Sequence, residues 1–210
     1  MKFSTMNRER KKVIVTYSLF LVFYLVLFAI LEQREAPIRL VMSRIDQLIP
    51  FCAYFIVPYL FWFIYLILTA IYFVVFCKDD KEVKKISYSF ITGMSIFLCV
   101  SLFFPNGHML RPSLYGDGIF ISCVKFLYSI DTATNVFPSM HVFCSVAAAI
   151  ALLRQNELTK KRGFKLAIEI TTILIVLSTC FLKQHSVIDV FGALLLNGIC
   201  YCVFYKTDII

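Results

Sequence analysis

The chain has 210 residues, 60% of them apolar, with a mean hydropathy of +0.82 and a net charge of +8. A domain of this size has too little interior to hide that much apolar surface, which excludes an ordinary soluble globular protein. The basic residues sit in clusters between apolar runs, so the charge reads as a membrane-surface feature and calls for no nucleic-acid partner.

Taken in chain order, the apolar runs are Val13–Leu31, Phe51–Phe76, Ile86–Phe104, Phe137–Leu153, Leu166–Leu182 and Val187–Tyr205. Runs near 20 residues match the roughly 30 Å of hydrocarbon in a bilayer. Only helices or closed barrels satisfy their backbone groups in lipid. The expectation is therefore an all-α bundle of about six transmembrane spans, forming one membrane-embedded domain over residues 1–210. The first run is too long for a signal-peptide core and lacks a small-x-small cleavage site, so it reads as a span. Fifteen of the 21 Lys and Arg residues fall on one side of this arrangement, at residues 2–12, 78–85, 154–165 and 206. By the positive-inside rule both termini are cytoplasmic and residues 1–12 form a cytoplasmic tail. The opposite side carries a long loop, residues 105–136. Its second part, Gly118–Ile130, fits either a short interfacial helix or a re-entrant segment. The eight cysteines have no CxxC or metal-type spacing and read as small apolar filler.

The three histidines, His108, His141 and His185, all fall at the outer end of the predicted bundle. In the stretch Lys183–Asp189, His185 and Asp189 are four apart and would share one face of a helix that begins near Ser186. A carboxylate inside the membrane boundary needs a partner, and an imidazole N–H supplies one. That contact would fix the tautomer and leave the other ring nitrogen unprotonated, as a nucleophile or base requires. A pair that only caps the span explains the spacing equally well. In Asn135–His141, Pro138 suits a first helical turn. Ser139 and His141 would then lie by free N–H groups and the positive dipole end, forming either an anion cradle or a simple cap. Arg111, followed by Pro112, offers the planar fork of donors that suits phosphate, although a lone loop arginine is usually just solvated. Asp131 and Lys183 add charge on the same side.

Together, the order Arg111-Pro112, then Pro138-Ser139-x-His141, then Ser178 with His185-x-x-x-Asp189, resembles the three signature blocks of the type-2 phosphatidic acid phosphatase superfamily. The likeness covers about residues 104–192. The stretch Asp131–His141 particularly resembles the branch containing inositol phosphorylceramide synthases and sphingomyelin synthases, together with many bacterial membrane phosphatases. Three positions depart from the pattern: Phe104 stands in place of a Lys, Met140 in place of a Gly, and Thr179 in place of an Arg. Lys183 is expected to supply the missing positive charge.

The resemblance implies a metal-independent lipid phosphate phosphatase that needs no cofactor. His185 would act as nucleophile, Asp189 as its orienting carboxylate and His141 as general acid and then base. Arg111, Lys183, Ser139, Asp131 and Ser178 would bind phosphate and substrate. The expected setting is a bacterial cell membrane with the site on the outer face, where it would meet a lipid phosphate displayed in the outer leaflet. No homo-oligomer is predicted. A phosphotransferase with an alcohol acceptor is the alternative within this chemistry. A transporter subunit using Asp189 and Glu169 as relay groups is the alternative outside it. No spacing supports a zinc site built from the three histidines.

Overall fold

The computed structural model describes residues 6–207, so the first five residues of the expected tail lie outside the described residues. The protein is a helical bundle. Its elements in order are α1 (Arg8–Glu32), β1 (Arg39–Leu40), α2 (Ile45–Leu48), a 3₁₀ turn (Ala53–Phe55) leading into α3 (Ile56–Ile71), α4 (Asp80–Phe103), β2 (Asn106–Gly107), α5 (Ile119–Ile130), α6 (Met140–Leu153), α7 (Asn156–Thr159), α8 (Arg162–Phe181) and α9 (Val187–Tyr201). Both α3 and α9 end in a π-helical turn, Tyr72–Phe76 and Cys202–Lys206.

Five helices are long and apolar enough to cross a bilayer: Arg8–Glu32, Ala53–Phe76, Asp80–Phe103, Arg162–Phe181 and Val187–Lys206. Their outward faces are largely apolar, with charged residues toward the helix ends. Along α1, Leu19, Val22, Phe23, Leu25, Val26 and Ile30 are all more than half exposed. A row of this kind is stable only against lipid. The protein is accordingly an integral membrane protein. Glu169, considered above as a relay group, lies on the surface of α8 and faces Lys165 at 3.9 Å.

The fourth apolar run forms α6, whose 14 residues make it shorter than any of the five long helices. It lies at the centre, packed on α3, α4, α8 and α9. Ala147, Ala148, Ala149 and Ala151 are all buried, and such small side chains let neighbouring backbones approach closely. Gly93 on α4 serves the same end, because a Cβ there would stand 2.0 Å from the Phe143 ring of α6. Aromatic contacts join α1 to α4, with Tyr17 against Phe90 and Phe28 against Phe97, the latter pair at 5.8 Å between centroids.

The two ends of the bundle differ in chemistry. At the basic end, buried Arg10 donates to the carbonyls of Phe73 (2.7 Å) and Cys77 (2.8 Å) and pairs with Asp80 at 3.0 Å. Arg154 and Lys85 both pair with Glu82 in the same region. These contacts tie α1, α3, α4 and α6 together and satisfy carbonyls at the end of α3. At the opposite end, the region expected to hold an interfacial or re-entrant segment contains the helix α5. It packs through Val124 and Leu127 against Ile56, Tyr59 and Leu182.

Candidate functional site: two histidines over a polar floor

Two chain segments deliver the histidines. The first is the approach to α6. Asn106 is fully buried, and its Oδ1 accepts from the backbone N–H groups of Val136 (2.9 Å) and Phe137 (2.8 Å). Its carbonyl accepts from the N–H of Asn135, which adopts a left-handed conformation with φ 51°. The chain is thereby turned so that Ser139 becomes the N-cap of α6 and His141 falls in its first turn. The Phe137 ring fits against α9 because position 192 is glycine, where a Cβ would stand 2.5 Å from that ring.

The second segment is the turn from α8 to α9. Lys183 is left-handed, with φ 54°. The N–H groups of Gln184 and His185 both donate to the Thr179 carbonyl, at 2.9 and 3.1 Å. This closes a tight turn and leaves His185 one residue ahead of Ser186, the N-cap of α9.

The two imidazoles face one another with centroids 5.7 Å apart. The His141 ring also packs against Tyr59 (4.6 Å) and Trp62 (4.4 Å) of α3. Both histidines line a cavity of about 320 Å³. Its floor is polar, contributed by Asp131, Asn135 and Gln184 alongside the histidines. Its outer wall is apolar and comes from α1, α3 and α5. Leu25, Leu60, Phe63 and Ile130 in that wall are also largely exposed on the outside of the bundle. The cavity therefore borders the lipid-facing surface on one side and the polar end of the bundle on the other.

Gln184 organises the floor. Its Oε1 accepts from the Arg111 guanidinium, and its Nε2 donates to Asp131 Oδ2 at 3.2 Å. The same carboxylate oxygen accepts from the Tyr59 hydroxyl at 3.1 Å. Arg111 also donates to the Thr132 carbonyl at 2.9 Å and lies over the Tyr128 ring at 4.4 Å. Burial pushes the Asp131 carboxyl above its usual range, and the nearby guanidinium works against that shift. His108 braces the floor from below: Nε2 lies 2.8 Å from the Gln184 carbonyl, and Nδ1 accepts from the Leu110 N–H at 3.2 Å. That pattern fixes a neutral ring, and burial lowers its pKa.

Several expected roles are redirected. His185 and Asp189 do not share a helical face, since His185 lies outside α9. Asp189 Oδ2 accepts from the Ser186 N–H at 2.8 Å, completing a capping box. His185 Nδ1 stands 3.4 Å from that oxygen and forms no hydrogen bond among the described residues, and Asp189 Oδ1 has no partner there either. The pair is adjacent, and capping is the carboxylate's established bond. Lys183 does not reach the cavity. Its ammonium donates to the carbonyls of Asp46 (2.6 Å) and Ile49 (2.5 Å), so the cation expected to replace Thr179's missing charge is engaged elsewhere. Ser178 is fully buried and donates to the Ile175 carbonyl at 2.6 Å within its own helix, away from the cavity. Ser139 caps α6 through its hydroxyl, 3.4 Å from the Val142 N–H. Of the expected phosphate and substrate contacts, Asp131 lines the cavity and Arg111 stands at its edge through Gln184. Among the described residues no three His, Cys, Asp or Glu side chains converge so as to hold a metal ion.

The sequence reading missed Tyr59, Trp62, Gln184 and Asn106. The lone tryptophan of the chain and the direct adjacency of Gln184 to His185 were the available signals. Nothing local to Asn106 marks it, because its partners are some 30 residues away.

His185 makes a pH prediction. Burial pushes its ring down to about 3, opposed by a hydrogen bond to the Val136 carbonyl. The free side chain titrates near 6.5. The ring should therefore stay neutral at pH 5, as read from its ring ¹⁵N and ¹³C NMR shifts in detergent. A midpoint near 6.5 would contradict this. Below about 6.5 the unfolded chain binds a proton that the folded one refuses, so this group's contribution is complete at neutral pH and is lost as pH falls toward 3.

Compared with protein-family models, curated proteins and solved structures, the chain matches none of them.

Proposed function

We propose that the protein is an integral membrane lipid phosphate phosphatase that works without a metal, through a phosphohistidine. It would have six spans, with α6 as the short fourth, both termini in the cytoplasm and the histidine end outside. The observation that carries this reading is the pair of facing imidazoles on a polar floor whose adjoining wall is apolar and open to lipid. Such a cavity suits a molecule with a polar phosphate and an apolar tail. The ordered blocks around Arg111, His141 and His185, which resemble the type-2 phosphatidic acid phosphatase superfamily, point to the same chemistry. The clusters of Lys and Arg at the other end support the orientation.

In this scheme neutral His185, with its proton on Nδ1 beside Asp189 and Nε2 released from the Val136 carbonyl, attacks the phosphorus of the lipid phosphate through Nε2. A P–N bond forms and the P–O bond to the lipid breaks. His141, which takes up a proton as the phosphate dianion binds beside it, gives that proton to the departing lipid alkoxide. Asp189, close to Nδ1 and with one oxygen free, stabilises the imidazolium once the ring shifts by a few tenths of an ångström, a tightening common on substrate binding. Arg111 leaves Gln184 to hold the equatorial oxygens, since phosphoryl transfer depends on balancing their charge. Water then attacks the phosphohistidine, His141 takes its proton, and inorganic phosphate leaves.

A second reading has an alcohol in place of water, making the protein a phosphotransferase. The Asp131–His141 stretch favours it through its likeness to the synthase branch. Phosphate release from a panel of lipid phosphates in detergent, with and without an added lipid alcohol, tests both. Free phosphate without acceptor supports the hydrolase. Transfer only when acceptor is present supports the transferase. Neither product from any lipid would remove both.

A further inference from the structure

The loop between α1 and α3 holds a carboxylate with no evident purpose at the surface. Asp46 lies on the short helix α2 and is 2% exposed. It sits at the N-terminus of α9, 140 residues away in sequence. Oδ1 accepts from the Val187 N–H at 2.8 Å. Oδ2 accepts from the Ser186 hydroxyl at 2.7 Å and from the Ser43 N–H at 2.6 Å. The main chain of the same segment is engaged too, since the Asp46 and Ile49 carbonyls take the Lys183 ammonium. His185 thus has its second residue upstream and its first and second residues downstream all fastened to residues 43–49. The ring itself has few anchors: a hydrogen bond to the Val136 carbonyl and a 3.4 Å approach to Asp189.

We propose that Asp46 is the positioning residue for His185. Its carboxylate and main chain fix both flanks of the loop, so that the imidazole is held facing His141. This rests on the reading of His185 as nucleophile, and it adds a requirement that reading does not contain. A carboxylate is needed, not just a polar side chain of the same shape. Two of its partners are backbone N–H groups, one at each oxygen, and an amide would direct its own N–H₂ at one of them in either orientation. A negative charge at this place also complements the positive end of α9. The ionic and geometric demands explain why Lys183 turns away from the cavity: its charge completes the clamp.

The test uses the whole chain in detergent with Asp46→Asn and, as a second change, Ser186→Ala, which removes both the hydroxyl's bond to Asp46 and its cap on the Ile188 N–H and leaves the backbone partners of Asp46. Two quantities are read: amide hydrogen exchange over residues 182–190, and kcat and KM for phosphate release from dioctanoyl phosphatidic acid. Asp46→Asn should raise exchange in that peptide at least tenfold and lower kcat at least tenfold, with KM changed less than about threefold. Ser186→Ala should move both in the same direction by less. Asp46→Glu should recover part of the loss. Unchanged exchange in Asp46→Asn would overturn the clamp. Faster exchange with unchanged kcat would overturn positioning. If Asp46→Asn does not fold, Asp46→Glu, whose longer side chain cannot keep all three carboxylate bonds in place, decides by the same criteria. Absence of phosphate release by the wild-type protein would count against the phosphatase reading alone, and the exchange result would still decide the clamp.

Discussion

Replacing His185 with alanine should abolish phosphate release from a lipid phosphate, by about a thousandfold or more, and leave the bundle folded. The size follows from the role. Without the ring there is no atom to carry the phosphoryl group, and each factor of ten corresponds to about 1.4 kcal/mol of barrier. The retained fold follows from where His185 is held. Its N–H bond to the Thr179 carbonyl belongs to the main chain and survives, and the N-cap of α9 belongs to Ser186. Supplementing the variant with imidazole, which fits a cavity of about 320 Å³, is a useful companion measurement. Partial recovery would tie the loss to the missing nucleophile rather than to a displaced loop. Activity within tenfold of wild type in His185→Ala would remove His185 from the mechanism.

His141→Ala should cost about a hundredfold or more on a lipid phosphate, the usual magnitude for a lost general acid. The dependence on leaving group is the sharper prediction. A lipid alkoxide is a poor leaving group and needs the proton, whereas p-nitrophenolate does not. With p-nitrophenyl phosphate the first step should survive in His141→Ala while the second, which needs a base for water, remains slow. The variant should then show a burst of one p-nitrophenol per site and accumulate phosphoenzyme. The ring's setting supports this division of labour. Tyr59 and Trp62 hold His141 against α3, so its loss removes a proton carrier without touching the backbone of the α8–α9 turn. Equal losses on both substrates, with no burst, would show that His141 is not the acid.

The bundle was largely legible in the sequence, because a membrane span is written in local composition. The runs at Val13, Phe51, Ile86, Leu166 and Val187 each became a long helix, and the mixed stretch after Gly118 became α5. The short run before Leu153 became α6, whose small residues suit it to the centre. The placement of all three histidines at one end followed from the same alternation of runs. What did not show was where polar side chains find their partners. Lys183 stands two residues from His185, yet its ammonium bonds carbonyls more than 130 positions away. Asp46 caps a helix that begins 141 positions later. The four-residue interval did place Asp189 within 3.4 Å of His185 Nδ1, although the shared helical face it implied requires both residues to be inside the helix. Here the N-cap falls between them. Ser178, read as a substrate contact, satisfies its hydroxyl within its own helix, a common fate for buried serines.

In the proposed mechanism His185 carries the phosphoryl group. The most direct measurement is to quench the wild-type protein in alkali, where phosphohistidine persists, during turnover of dioctanoyl phosphatidic acid and of p-nitrophenyl phosphate. Mass spectrometry of the digest then locates the modification. One phosphoryl group on His185, absent from His185→Ala and enriched in His141→Ala with p-nitrophenyl phosphate, is the predicted result. Phosphate release with no phosphorylated His185, or with the group on another residue, would contradict it.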